Sequence, residues 1–326
     1  MSMSLEARDE RAPVERLPHP RVAPTRPTPG QPIPRQRTPR EDAVQGGTRA
    51  LLAVFVVFTL LAVNQLLVLG GDTERFFAWP IASRPSSAFL GAAYAAGTIL
   101  SVLALRQRQW SQVRVAVLTV TAFAGLTLVP TLLHRHRMNL MEDGIARAAA
   151  VVWIVVYLAV PVAGALVVLR QWQAAGGRAV IRRPMPTPLV AVLLAQGAAL
   201  TAVGAVLYAS GFRSHEAVAV AQPGWPWPVT PLTSQVIGAW LLSFGIAVAL
   251  AVRERDLSRM FVPAVAYAVF GAAQTLVLLV FRDQAGTVGR WLWLDLALFA
   301  SLVPVGVLGA LTARRADLPM HSPHAA

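Results

Sequence analysis

The sequence predicts an all-α polytopic membrane bundle of about eight spanning helices, built as two parallel four-helix repeats with both termini cytoplasmic. Three observations predict it. Apolar residues gather into runs of about 20, arginine density alternates from one connecting segment to the next, and a set of short motifs recurs at constant spacing. Hydrophobic residues make up 55% of the chain and charged ones only 14%, against roughly 25% charged in a soluble domain. About 20 residues at 1.5 Å each cross a hydrocarbon core of roughly 30 Å. The runs do not alternate in polarity, so they are helices and not barrel strands.

Residues 1–48 carry nine of the 24 prolines and eight of the 29 arginines, with few large apolar side chains. Such a segment cannot bury enough surface to offset chain entropy and is expected to be a disordered cytoplasmic tail. The first apolar run begins far behind the N-terminus with no small-residue cleavage site, so it is a retained helix. The spans follow at about 50–70, 87–105, 113–133, 147–169, 187–210, 233–252, 260–281 and 291–311. Every basic residue apart from histidine is arginine. Of the 29, 21 fall in the tail or in alternate connections and eight on the opposite side (Arg75, Arg84, Arg135, Arg137, Arg147, Arg213, Arg282, Arg290). The positive-inside rule then places both ends of the chain in the cytoplasm of a cell whose inner (plasma) membrane holds the protein.

The recurring motifs set the internal organisation. Trp79-Pro80, Ser86-Ser87, Leu90-Gly91-Ala92, Arg106-x-Arg108 and Ser111 return as Trp227-Pro228, Thr233-Ser234, Ile237-Gly238-Ala239, Arg253-x-Arg255 and Ser258. From Ser86 and Thr233 onward the offset stays at 147 residues. Four spans per copy give both copies the same orientation, so the axis relating them runs along the membrane normal. The expected units are the tail 1–48, one repeat at 49–186, a second at 187–312, and a short cytoplasmic tail at 313–326.

The formal charge of +13 could signal nucleic acid, but the arginines sit at membrane edges and in the tail. The expected partners are therefore the lipid bilayer and other membrane proteins, with no nucleic acid. With no cysteine the chain has no disulfide, thiolate metal site or cysteine nucleophile. The residues Trp79, Pro80, Trp225, Trp227 and Pro228 read as anchors in the headgroup layer preceding a helix start; the sharper alternative is a pair of loops over a shared outer cavity, with Ser86, Ser87, Thr233 and Ser234 offering hydroxyls. Polar residues within spans default to functional candidates, which singles out Asn64, Gln65, Gln196, Gln274 and Asp295. Asp295 is expected to pair with Arg84, Arg282, Arg290, His134 or Arg135 as a structural ion pair. On the outer side His134, His136 and His215 lie near acids, but His134 and His136 are about 200° apart around a helix. They read as interfacial histidines, with no metal and no cofactor.

In its Trp-Pro, Leu-Gly-Ala and Arg-x-Arg pattern, over residues 50–312, the chain resembles the uncharacterised multi-pass membrane proteins met in actinobacteria. The resemblance implies a multi-span fold and no particular activity. Eight spans in two four-helix copies is also the arrangement of haem A synthase, which depends on paired histidines in each half. Here Phe281 stands 147 residues after His134, so that likeness is one of helix count. The catalytic signatures of serine hydrolases, zinc proteases and nucleotide-binding loops are missing. The expected function is a non-enzymatic accessory or scaffold protein. The alternative is a small-molecule or proton-coupled carrier with a site between the repeats. A third reading, an embedded enzyme, requires His134, His136, Glu216 and Asp295 to converge.

Overall fold

A computed structural model describes residues 42–174, 181–213, 218–285 and 289–317, with the side chains of 289, 290, 316 and 317 left aside. The chain is a multi-pass helical bundle. Its α-helices are α1 (Gly46–Val63), α2 (Thr73–Phe76), α3 (Arg84–Leu105), α4 (Trp110–Leu133), α5 (Gly144–Ala174), α6 (Thr187–Ser210), α7 (Pro231–Glu254), α8 (Phe261–Val280) and α9 (Gly289–Asp317). All but α2 are long and apolar enough to cross a membrane. Most helix ends lie within about three residues of the boundaries read from hydropathy; α1 starts earlier, and α5 and α9 run on further at their C-terminal ends. Of the expected tail, residues 1–41 lie outside the described residues. The remainder is ordered, since Asp42–Gln45 lie against the α3–α4 connection and α1 starts at Gly46.

Proline in the first turn starts α3, α6 and α7, where its missing N–H has no helical partner to lose. Pro130, Pro161 and Pro304 lie inside α4, α5 and α9, positions a membrane helix tolerates when neighbours re-satisfy the freed carbonyl. The last turn of the first span widens into a π-helix at Asn64–Val68.

The packing order is the same in both halves. Helix α1 packs on α3 as α6 packs on α7, and α4 packs on α5 as α8 packs on α9; across the halves α3 meets α8 and α4 meets α7. Exchanging the halves leaves this scheme unchanged. In the inner helices α3, α4, α7 and α8, 44–72% of the most apolar stretch is buried, against 22–33% in α1, α5, α6 and α9, which form the outside of the bundle. Matching contacts recur in detail. Ser87 Oγ donates to the Leu66 carbonyl at 2.8 Å, and Ser234 Oγ to the Leu207 carbonyl at 2.8 Å.

At the arginine-rich end, the segment entering each half forms a short antiparallel bridge with the connection between its second and third spans: Ala43 with Gln109, and Pro184 with Asp256. In each bridge a carboxylate seats the serine that follows. Asp42 accepts from the Ser111 hydroxyl at 2.5 Å, and Asp256 from the Ser258 hydroxyl at 2.8 Å. The acid comes from the entering segment in one half and from the connection in the other. Burial works against charge on Asp256, but the N–H of Arg182, the hydroxyl and N–H of Ser258, and the N–H of Arg183 outweigh it and hold the carboxyl below the ordinary carboxylate range.

Between the halves the bundle is filled by aromatic rings. Phe123 stacks on Trp240 at 3.9 Å, Trp240 leads to Phe244 at 6.2 Å, and Phe244 stacks on Phe270 at 3.9 Å. Phe299 and Phe89 continue the column at 5.6 and 5.8 Å. Rings in such stacked and edge contacts pack the seam between the halves.

Candidate functional site

The arginine-poor end carries the most elaborate polar construction. Trp79 Nε1 donates to Thr233 Oγ1 at 3.1 Å, and Trp227 Nε1 donates to Ser86 Oγ at 2.9 Å. Each Trp-Pro loop therefore reaches over the start of the other half's second span, and the two bonds are reciprocal. The hydroxyls read as possible ligands are the acceptors of these indoles. This corrects the expectation of headgroup anchors: Trp79, Trp225 and Trp227 are each at most 1% exposed, while Pro80 and Pro228 face outward. An indole can bury its N–H only when an acceptor is waiting, and helix-start hydroxyls supply it. Gly224, at φ +77°, makes the left-handed turn that sends Trp225 inward, where it meets Phe89 at 4.9 Å and Trp227 at 5.2 Å.

Beside the first loop lies a cavity of about 720 Å³ lined by Asp72, Glu74, Arg75, His134, His136, Arg137 and Thr230, with Trp79 and Leu232 contributing apolar edges. Its volume is in the range of small-molecule sites. His134 is buried, and its Nε2 lies 2.9 Å from Gln235 Oε1, a bond that ties α4 to α7. The His134 and His136 rings are 6.3 Å apart. Among the described residues no group of three His, Asp or Glu could hold a metal ion; His215 and Glu216 lie outside them. Asn139, unremarked in the sequence, supports the wall by donating to the carbonyls of Glu74 and Phe77 at 3.0 and 2.9 Å. Gln235 lies in an apolar run and Asn139 in a charged connection, and neither belongs to a recurring motif that would distinguish it.

The five intramembrane candidates do not share a cavity. Asn64 is exposed at the π-turn. Gln65 lines a groove of about 210 Å³ between α1 and α5, over Tyr94, Trp153 and Tyr157; the two tyrosine hydroxyls bond each other at 2.7 Å. Gln196 donates to Ser301 Oγ at 2.9 Å and accepts from Tyr267 at 3.2 Å, joining α6, α8 and α9. Gln274 donates to the Phe89 carbonyl at 3.0 Å, joining α8 to α3.

Asp295 has no ion-pair partner among the described residues; the side chain of Arg290, one of the expected partners, lies outside them. Asp295 is 4% exposed, and no described cation reaches it. Arg84 is committed to the Leu66 and Leu67 carbonyls, Arg282 to Asp283, and His134 to Gln235. Asp295 Oδ2, Gln274 Oε1 and Trp225 Nε1 are all buried without a partner. In the first half Trp153 of α5 packs on Phe77 and Trp79 at 5.5 and 4.8 Å and donates to Thr131 at 3.0 Å. The chain matches no protein-family model, no curated protein and no solved structure.

Proposed function

We propose that the chain is a non-enzymatic accessory or scaffold protein of the cytoplasmic membrane, with both termini cytoplasmic, acting through its outer face and lipid-exposed helices. The observation that carries this reading is the aromatic column from Phe123 to Phe299 between the halves. It fills the position where a carrier needs a polar path. Gln196 and Gln274, which would line that path, instead bond helix to helix. The unpartnered carboxyl of Asp295 favours the carrier as the second reading, since a buried acid without a partner is a device that transport proteins use.

The absence of native cysteine gives a clean test. Ser101→Cys and Ser243→Cys place near-isosteric thiols at two fully buried inner sites, and Thr230→Cys places one at the outer cavity. With a membrane-impermeant maleimide on cells and on inverted vesicles, Thr230→Cys reacts from one side and the inner thiols from neither. Reaction of both inner thiols would sink the scaffold reading and establish a water path. A photo-crosslinking residue at lipid-facing Leu166 or Leu194 is expected to give one discrete protein adduct. Adducts to lipid alone at both positions would leave the scaffold without a partner.

A further inference from the structure

The arginine-rich end is not balanced in charge, and the imbalance falls on one flank. Where α4 meets the end of α7, Arg114 pairs with Glu254, and Arg259 pairs with Glu254 at 2.8 Å and with Asp256 at 3.3 Å. Two guanidinium groups there meet two carboxylates. Stepping 147 residues along the chain to the related flank exchanges each member. Glu254 corresponds to Gln107, Arg114 to Phe261, and Arg259 to Gln112. These three line a cavity of about 270 Å³ together with Ser258, Arg259 and Arg314. Among the described residues no carboxylate lines it. Arg314 lies with its guanidinium 4.7 Å over the Phe261 ring and has no acidic partner among the described residues.

We propose that this cavity binds a phosphate group. The lining supplies donors: the Arg314 fork, the Gln112 amide, and the Gln107 Nε2 hydrogen that is not given to the Leu103 carbonyl. Arginine matches phosphate oxygens with two parallel N–H bonds. Stacking on Phe261 holds the guanidinium plane in place before a ligand arrives, so less side-chain freedom is lost on binding. Gln107, standing where the related flank has Glu254, leaves the lining itself without an acid. Glu254 and Asp256 neutralise Arg259, which leaves Arg314 as the cation of the lining that has no acidic partner among the described residues. The same chemistry serves an anionic lipid headgroup in the adjoining leaflet or a soluble phosphate compound. This site is separate from the outer face and stands or falls independently of the scaffold reading.

The test uses the full chain purified in neutral detergent, with native mass spectrometry counting bound phosphatidylglycerol against phosphatidylcholine, and with pyrophosphate as the soluble probe. Wild type is expected to retain phosphatidylglycerol preferentially. Arg314→Gln and Gln107→Glu each weaken that retention about five-fold, the equivalent of ~1 kcal/mol for one arginine near a lipid surface. Arg315→Gln, one residue along on the same exposed turn, leaves it unchanged. Pyrophosphate that binds without lipid, and is lost in the same two variants, assigns the site to a soluble phosphate and still supports it. Equal retention by wild type, Arg314→Gln and Gln107→Glu overturns the proposal, as does an equal loss in Arg315→Gln, which would mean diffuse charge. Matching melting curves for all variants confirm that the comparison is between folded proteins.

Discussion

Replacing Ser86 with alanine removes a single oxygen and leaves the buried Trp227 indole N–H without its acceptor at 2.9 Å. An unsatisfied buried donor costs about 1–3 kcal/mol. Thr233→Val does the same to Trp79, whose bond is 3.1 Å, with little change in side-chain shape. The two bonds share no atom, and each indole is separately packed, Trp79 on Phe77 and Trp153 and Trp227 on Trp225. The double variant should therefore lose close to the sum, roughly 2–6 kcal/mol, within about 0.5 kcal/mol of additivity. That is a large share of a typical stability of about 5–15 kcal/mol. Titration with sodium dodecyl sulfate in mild detergent, followed by tryptophan emission, measures each loss. Both single variants lying within about 0.5 kcal/mol of wild type would refute the reasoning, because a surface polar contact costs no more than that.

Gly238→Ala should destabilise by about 1–3 kcal/mol, because a methyl there lies 2.7 Å from the Gly204 carbonyl oxygen and 2.8 Å from the Tyr208 nitrogen, neither of which can move without separating α6 from α7. Gly91→Ala, at the matching position, meets the flexible Leu67 side chain and should cost clearly less; equal losses in the same titration would contradict this. Asp295→Leu is expected to raise the unfolding midpoint, since removing an unpartnered buried polar group recovers about 1–3 kcal/mol, and a lower midpoint would reveal a partner for the carboxyl. Because Asp256 is held below the ordinary carboxylate range, its contribution to stability is complete above about pH 4 and is lost as pH falls through its lower folded value. Thermal melting between about pH 6 and pH 3 should show this acid sensitivity flattened in Asp256→Asn, and an unchanged profile would remove Asp256 from the account.

The spans were legible because backbone in lipid has no alternative to long apolar helices, and hydropathy reports that requirement directly. The recurrence of Trp-Pro and Leu-Gly-Ala was legible as well, but not what those residues do. Tryptophan near a span end serves equally as a headgroup anchor or as a buried donor. Only the position of Ser86 and Thr233 opposite the crossing loops decides between them. The outer helices hid their correspondence for another reason: Leu66 and Leu207 stand 141 residues apart, whereas Ser87 and Ser234 stand 147 apart, and Leu, Val and Ala runs align at any shift. Asp295 was legible as an intramembrane acid. Its lack of a partner was not, because whether Arg84 reaches it depends on a rotamer that two carbonyls have already claimed.

The crossing of α3 to α8 and of α4 to α7 also governs how the molecule is made. A chain emerges from the ribosome N-terminus first, so the first four spans enter the bilayer while the helices that cover their inner faces do not yet exist. During that interval Trp79 has no Thr233 to receive its N–H, and Ser86 awaits Trp227. The nascent first half is a bundle with its seam open. Arrival of α7 and α8 closes the seam, so the finished protein and its own biosynthetic precursor present different surfaces to the bilayer.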